Sequence, residues 1–273
     1  MRRAIGRARR IVLTGSAFLL FFAGGALLSY VLLPIASRRG RDPADAARRC
    51  RAALAGGWRF FHWYMDACGL LRYDPRATRL DLPEGAFVLV ANHPTLVDVT
   101  AIVSACPQAV SLVKSGMYRS PLVGRLLRYC EHVDAGDGST FGGVAAADEA
   151  MDRLRAGTPV LIFPEGTRSP ELGVGPFRPG AFELAARAGV PIVPLFVTCD
   201  PPTLMRGQRW YEVPERTATL TVTQLPTLGP PLDARAAARE LRSVYRQRLE
   251  ALAALRRPAR ADGRTVAGFT ASP

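Results

Sequence analysis

Hydrophobic and polar positions along the chain fall into two regimes. Residues 11–36 form one uncharged, largely apolar run, whereas from Tyr73 onward short apolar runs alternate with longer stretches of helical spacing. The runs at 86–91, 109–113, 132–133, 159–163, 191–197 and 218–222 read as strands; the fifth is interrupted by Pro194 and the last alternates apolar with polar. Helices are expected over 96–104, 121–130, 141–156, 181–188 and 233–255. The last carries Leu241, Val244, Tyr245, Leu249, Leu252 and Leu255 on one face. Strand–helix alternation predicts an α/β fold, a largely parallel central sheet flanked by helices.

As a helix, residues 11–36 would be about 39 Å long at ~1.5 Å per residue, enough to cross a bilayer core of about 30 Å with tilt. The run is too long for a cleaved signal peptide, and no small-x-small cleavage site follows it. It therefore reads as an N-terminal membrane-anchoring helical segment. Basic residues flank it at 1–10 and at 37–41, so charge gives no vote on orientation. A helix that enters at Gly24-Gly25 or Pro34 and stays on one face is one resolution. Residues 44–71 then carry Arg48, Arg49 and Arg51 ahead of Trp58, Phe60, Phe61, Trp63, Tyr64 and Met65. That order suits an amphipathic helix at the membrane interface, or a helix packed on the domain core, and the two are compatible. The expected organisation is an anchor and interfacial helix over 1–72, an α/β domain over 73–256 and a flexible tail over 257–273.

Charge supports this division. The chain carries a net +13, concentrated as +9 in residues 1–51 and +5 in 233–273, with −1 in between. Positive ends on a neutral body favour an anionic lipid bilayer as partner and argue against nucleic acid, whose binders carry basic residues on the folded domain. Five widely spaced cysteines without a Cys-x-x-Cys pair, and only three histidines, exclude a disulfide scaffold, a standard zinc site and a histidine-rich metal centre. No metal is expected, and the free cysteines suggest a reducing compartment.

Two polar clusters directly follow apolar strands: Asn92-His93-Pro-Thr-Leu-Val-Asp98 and Phe163-Pro-Glu165-Gly166-Thr167-Arg168-Ser169. In an open α/β sheet both fall beyond the carboxyl ends of strands, where functional residues gather. Thr95 and Asp98 resemble a capping box, so Asp98 could merely cap a helix. A helical turn over the strand end could equally bring its carboxylate beside His93, fixing the imidazole tautomer and leaving the other nitrogen free to take a proton. In the second cluster Gly166 permits a tight turn and Arg168 offers a planar cationic fork suited to phosphate; the plainer alternative is an Arg168–Glu165 surface ion pair.

The ordered pair of motifs, Asn92-His93 with Asp98 and then Phe163 to Arg168, resembles the glycerolipid acyltransferase family, the lysophosphatidate acyltransferase-like enzymes. The segments around Lys114-Ser-Gly-Met-Tyr-Arg-Ser-Pro-Leu-Val-Gly124, Phe177-Arg-Pro-Gly-Ala-Phe182 and Ala188-Gly-Val-Pro-Ile-Val-Pro194 are similar to further blocks of that family. The resemblance implies a membrane-bound O-acyltransferase that moves a fatty acyl group from acyl-CoA or acyl-carrier protein (acyl-ACP) to the hydroxyl of a lysophosphatidate- or lysophospholipid-like acceptor. It implies His93 as general base, Asp98 as its orienting acid, and direct attack on the thioester without an acyl-enzyme. It further implies substrate binding by Asn92, Lys114, Glu165, Gly166, Thr167 and Arg168, no permanently bound cofactor, and a catalytic domain on the cytoplasmic face of a bacterial inner membrane.

One departure stands out. Many members carry an arginine after a hydrophobic-Asp step in the second block, where this chain reads His132-Val-Asp-Ala135-Gly136. Loss of that contact leaves open a non-phosphorylated envelope lipid as acceptor, or a catalytically inactive lipid-binding homologue. A lipid hydrolase is disfavoured because no Gly-x-Ser-x-Gly elbow is present.

Overall fold

The computed structural model describes residues 2–75, 78–136, 140–171 and 173–256. The expected tail at 257–273 lies outside them, as do Asp137 and Gly138 of the Gly-rich turn after His132.

Seven strands, β1 (Leu71–Arg72), β2 (Val88–Ala91), β3 (Val110–Val113), β4 (Val133–Asp134), β5 (Val160–Ile162), β6 (Ile192–Asp200) and β7 (Ala218–Gln224), form one sheet in the order β1-β7-β6-β2-β5-β3-β4. Strands β6, β2, β5, β3 and β4 run parallel; β7 is antiparallel to β6, and β1 is parallel to β7. The expected largely parallel sheet is therefore present, with two reversed strands at one edge. Strand β6 runs through Pro194 without interruption. The polar groups of residue 194 point toward β7, the carbonyl accepting the Leu225 N–H at 2.9 Å. The antiparallel ladder starts only at Leu195 opposite Gln224, so the missing N–H falls outside it.

Helices cover both faces, which is why β2 is apolar at every position. Val88 and Val90 pack with Met151 of α7 (Thr140–Arg155), Phe182 of α8 (Gly180–Ala188) and Leu241 and Tyr245 of α9 (Ala234–Arg256). Leu89 and Ala91 pack with Ala101 and Ile102 of α4 (Asp98–Ala105) and with Phe61 and Met65 of α3 (Pro43–Ala67). On α9, Val244 departs from the expected apolar face and is exposed, while Leu241 and Tyr245 are buried. Adjacent strands β2 and β5 send their connections to opposite faces, through α4 and α8. The crevice beyond their carboxyl ends is thus a topological switch point.

The N-terminal run is a helical hairpin. Helix α1 (Arg2–Leu27) passes through a single π-turn (Leu28–Leu32) into α2 (Leu33–Arg38), so the helix continues past both Gly24-Gly25 and Pro34. Pro34 lacks the N–H that would complete an α-turn, and the Leu33 N–H bonding back to the Leu28 carbonyl absorbs the irregularity. The chain then reverses. Asp42 caps α3 through the Asp45 N–H at 2.8 Å, and Pro43 occupies its first turn. Ser16 meets Tyr64 at 2.7 Å between hydroxyls, Phe21 stacks on Trp58, and the Leu33 carbonyl accepts from Cys50, which fixes the two arms antiparallel. Within the described residues, 6–38 is the one helical stretch long and apolar enough to cross a membrane.

The boundary expected between 72 and 73 is not a seam. Strand β1 belongs to the sheet, and α3 packs on α4, where His62 bonds Thr100 at 3.0 Å in the core. A short helix α5 (Ser115–Tyr118) and α6 (Gly124–Tyr129) follow β3; the first has no apolar periodicity to announce it.

Candidate active site

The parallel strands all end at one edge, and the chain segments that follow them meet there. After β2, the Asn92 side chain continues the sheet: its amide N–H donates to the Val197 carbonyl at 2.8 Å and its oxygen accepts the Val197 N–H at 2.7 Å. Asn92, expected to bind substrate, is buried, and its bonds to β6 lock the start of the loop.

The next residue, His93, is held on three sides. Its Nδ1 lies 2.9 Å from Asp98 Oδ2, and its ring stacks on Phe163 with centroids 4.3 Å apart. Asp98 is fully buried and accepts from the Thr95 N–H at 2.7 Å and the Thr95 hydroxyl at 2.6 Å. The Thr95 hydroxyl in turn accepts the Val97 N–H at 3.1 Å. The two readings of Asp98 therefore coincide: the acid at the start of α4 reaches back to Thr95, as in a capping box, and the same oxygen takes His93. A carboxylate can only accept, so Nδ1 carries the proton and Nε2 presents its lone pair. The His93 side chain is 18% exposed, which leaves that nitrogen accessible.

The loop after β5 closes onto this one. Glu165 Oε1 accepts the His93 N–H at 3.2 Å and the Ser169 hydroxyl at 2.6 Å, while Oε2 accepts the Gly175 N–H at 2.7 Å. The Ser169 N–H donates to the His93 carbonyl at 2.7 Å, and the Ser169 oxygen also accepts the His93 N–H at 3.1 Å. Glu165, expected among the acceptor-binding residues, is buried with both oxygens committed to the protein's own chain, so its place is to join the two loops. Gly166 has φ +68°, a left-handed turn open to glycine, and is exposed, with Thr167 half-buried beside it.

Arg168 does not pair with Glu165. Its Nη1 donates to the carbonyls of Leu204 and Met205, both at 2.9 Å, which draws the segment after β6 over the site. Leu204 takes a left-handed conformation at φ +54° and its carbonyl also accepts the Leu96 N–H at 3.2 Å. Among the described residues Arg168 forms no ion pair, and the rest of its guanidinium makes no hydrogen bond. Lys114 is exposed at the carboxyl end of β3. Ala135, after β4, sits next to it through its N–H to the Val113 carbonyl at 2.8 Å.

Sequence reasoning passed over Phe163, Thr95, Ser169 and the Leu204 carbonyl. Ser169 directly follows the Arg168 motif, and Thr95 had been read only as a cap; the role of Leu204 has no local signal, because it arises from a segment 36 residues away from Arg168. Three of the five cysteines are poorly suited to act as nucleophiles. Burial pushes the Cys106 thiol up to about 11 and raises Cys50 and Cys130 as well, so these sulfurs stay protonated. Among the described residues no group of three or more metal-ligating side chains is assembled.

Fold and site together define a three-layer α/β protein with a histidine–aspartate pair at the switch point of its sheet. A family profile described as Acyltransferase matches residues 76–198 of the chain. It is 32% identical over 108 residues to the chloroplastic 1-acyl-sn-glycerol-3-phosphate acyltransferase BAT2 of Brassica napus, covering 40% of this chain and 31% of the relative. It is 27% identical over 187 residues to the 1-acyl-sn-glycerol-3-phosphate acyltransferase of Pseudomonas aeruginosa, covering 68% and 67%. The first curated relatives are thus matched over about a third of their length. The crystal structure of the 1-acyl-sn-glycerophosphate acyltransferase PlsC from Thermotoga maritima superposes with a TM-score of 0.69 over 91% of this chain and 98% of that one, at 20% identity; it shares the fold.

Proposed function

We propose that the chain is a membrane-bound O-acyltransferase that moves a fatty acyl group from acyl-CoA or acyl-carrier protein to the hydroxyl of a lysophosphatidate-like acceptor. The observation that carries this reading is the 2.9 Å His93–Asp98 contact with Nε2 left open at the junction of the two loops. The acceptor hydroxyl gives its proton to Nε2 as its oxygen attacks the thioester carbonyl. Asp98 holds the resulting imidazolium. The tetrahedral species then expels the thiolate, which takes the proton back from Nε2, leaving ester, free thiol and unchanged enzyme.

Arg168 and Lys114 supply positive charge toward an acceptor phosphate, and the names of the relatives point to the same acceptor class. Membrane attachment is supported by the apolar helix at 6–38 and by Val12 and Leu19 on α1 and Phe60 and Trp63 on α3, all more than half exposed. In a bacterial cell the proposed location is the inner membrane, with the catalytic domain on its cytoplasmic face.

The test is His93→Ala in purified membranes with labelled acyl thioester and lysophosphatidate. Transfer should fall by about 10²–10⁴-fold; near wild-type transfer would reject His93 as the base. Lipid binding without transfer in the wild-type protein, across a broad acceptor panel, would favour an inactive homologue.

A further inference from the structure

Arg178 lies outside the motif that carries Arg168 but packs against its turn. The Arg178 N–H donates to the Pro164 carbonyl at 2.9 Å, one residue before Glu165. On one side Phe177 packs edge-on against the buried Tyr245, with ring centroids 5.4 Å apart; on the other Pro179 caps α8. The backbone at Arg178 is thus pinned from both directions. Its guanidinium lies across Gly166: a Cβ built there would come within 3.3 Å of Arg178 Cζ and 3.4 Å of Nη1. Gly166 is favoured by its positive φ, and a Cβ there would also crowd the guanidinium.

We propose that Arg178 is a further cation of the phosphate site, acting beside Arg168 and Lys114 on the acceptor. The inference rests on the acyltransferase reading above and specifies its acceptor site. Among the described residues Arg178 has no hydrogen-bond or ion-pair partner for its side chain, and the side chain is exposed. The one acid on its turn, Glu165, is buried and committed to His93, Ser169 and Gly175, so it does not neutralise either arginine. The acids nearest in sequence, Glu171 and Glu183, form no ion pair with Arg178. One guanidinium on the turn and another packed across it from the segment ahead of α8, neither in an ion pair among the described residues, favour a phosphate dianion, which accepts forked N–H donors. The position at Ala135 contributes no charge, and Arg178 supplies a further positive contact from the loop ahead of α8.

Phosphate is present on a lysophosphatidate acceptor and also on the phosphopantetheine of either donor, and steady-state kinetics separate the two. Arg178→Gln and Arg178→Lys are compared with wild type using lysophosphatidate, monoacylglycerol and acyl-CoA as varied substrates. Arg178→Gln should raise KM for lysophosphatidate about 10–100-fold, with kcat and the donor KM within about twofold and monoacylglycerol use unaffected. Arg178→Lys should recover part of the loss. An unchanged lysophosphatidate KM in a folded Arg178→Gln protein overturns the proposal and leaves the acyltransferase reading intact. A rise in donor KM alone also overturns it, assigning Arg178 to the donor. A wild-type protein that acylates monoacylglycerol but not lysophosphatidate overturns the phosphate site as a whole, and one that acylates neither overturns the functional reading with it.

Discussion

The backbone N–H of His93 donates to the side chain of Glu165 at 3.2 Å. The two residues stand 72 positions apart, on the loops after β2 and β5, and the contact sets where the imidazole sits relative to the Arg168 turn. Glu165→Gln keeps the shape and removes the charge, but only one of the two oxygens. The new amide would point its own donors at the Gly175 N–H or at the His93 and Ser169 donors. The expected cost is about 1–3 kcal/mol, read as a fall of several degrees in the melting midpoint. Turnover should drop with little change in acceptor KM, since the carboxylate positions the base without facing the ligand. A selective rise in acceptor KM would show that Glu165 touches the acceptor directly.

That division of labour was only partly legible in the sequence. Six of the seven strands (all but β1), most helices and the placement of both motifs at one sheet edge followed from apolar runs and their spacing, because β2, β5 and β6 are buried on both faces and must be continuously apolar. The His93–Asp98 contact was also legible, because five residues of turn and helix start suffice to make it. The roles of Asn92 and Glu165 were not. Both partners of Asn92 belong to Val197, and two of the three groups held by Glu165 lie in other segments of the site; a residue's neighbours across a parallel sheet leave no trace in its own vicinity. The helical hairpin was missed for a similar reason: the pairing of Phe21 with Trp58 is set by a reversal at 39–42 that hydropathy does not display.

Asp98→Asn tests the orienting acid. With its oxygen at the Oδ1 position the asparagine still accepts the Thr95 hydroxyl, but its amide then faces the Thr95 N–H that Oδ2 served, so the protein should fold with a loss of about 1–3 kcal/mol. It can also meet His93 with its amide N–H, which would favour a proton on Nε2 and remove the lone pair that accepts the acceptor's proton. Turnover should fall by about 10²–10⁴-fold with both KM values nearly unchanged. Retention of more than a tenth of wild-type turnover would mean that tautomer control by Asp98 is not needed.

Asn92→Asp distinguishes a structural amide from a ligand contact. The aspartate can accept the Val197 N–H, but its second oxygen would face the Val197 carbonyl in a buried site, two acceptors without a proton between them. A loss of about 2–4 kcal/mol is expected, visible as a lower urea midpoint. The expected signature is a stability loss in the absence of any lipid. A variant as stable as wild type but weak in acceptor binding would return Asn92 to the substrate site.

Two histidines outside the site give the fold a pH dependence. Burial holds His62 down at about 4, and burial together with the Arg51 charge holds His132 at about 4. The geometry agrees. Thr100 spends its own proton on the Val97 carbonyl at 2.7 Å, so His62 Nε2 is the donor to Thr100 and Nδ1 is left unprotonated, buried and without a partner. His132 Nδ1 accepts the Ser111 N–H at 2.9 Å and must lose that bond to take a proton. In the unfolded chain both titrate near 6.5, so between about 6.5 and 4 the unfolded state binds protons that the folded state refuses. Stability from these groups is complete above about pH 6.5 and is lost as the pH falls toward 4, by on the order of 3 kcal/mol per histidine. Urea midpoints measured from pH 7.5 to 4.5 should decline, and His62→Gln, which keeps a donor for Thr100, should show about half the decline. A midpoint flat across this range would mean that these imidazoles are hydrated in the folded protein.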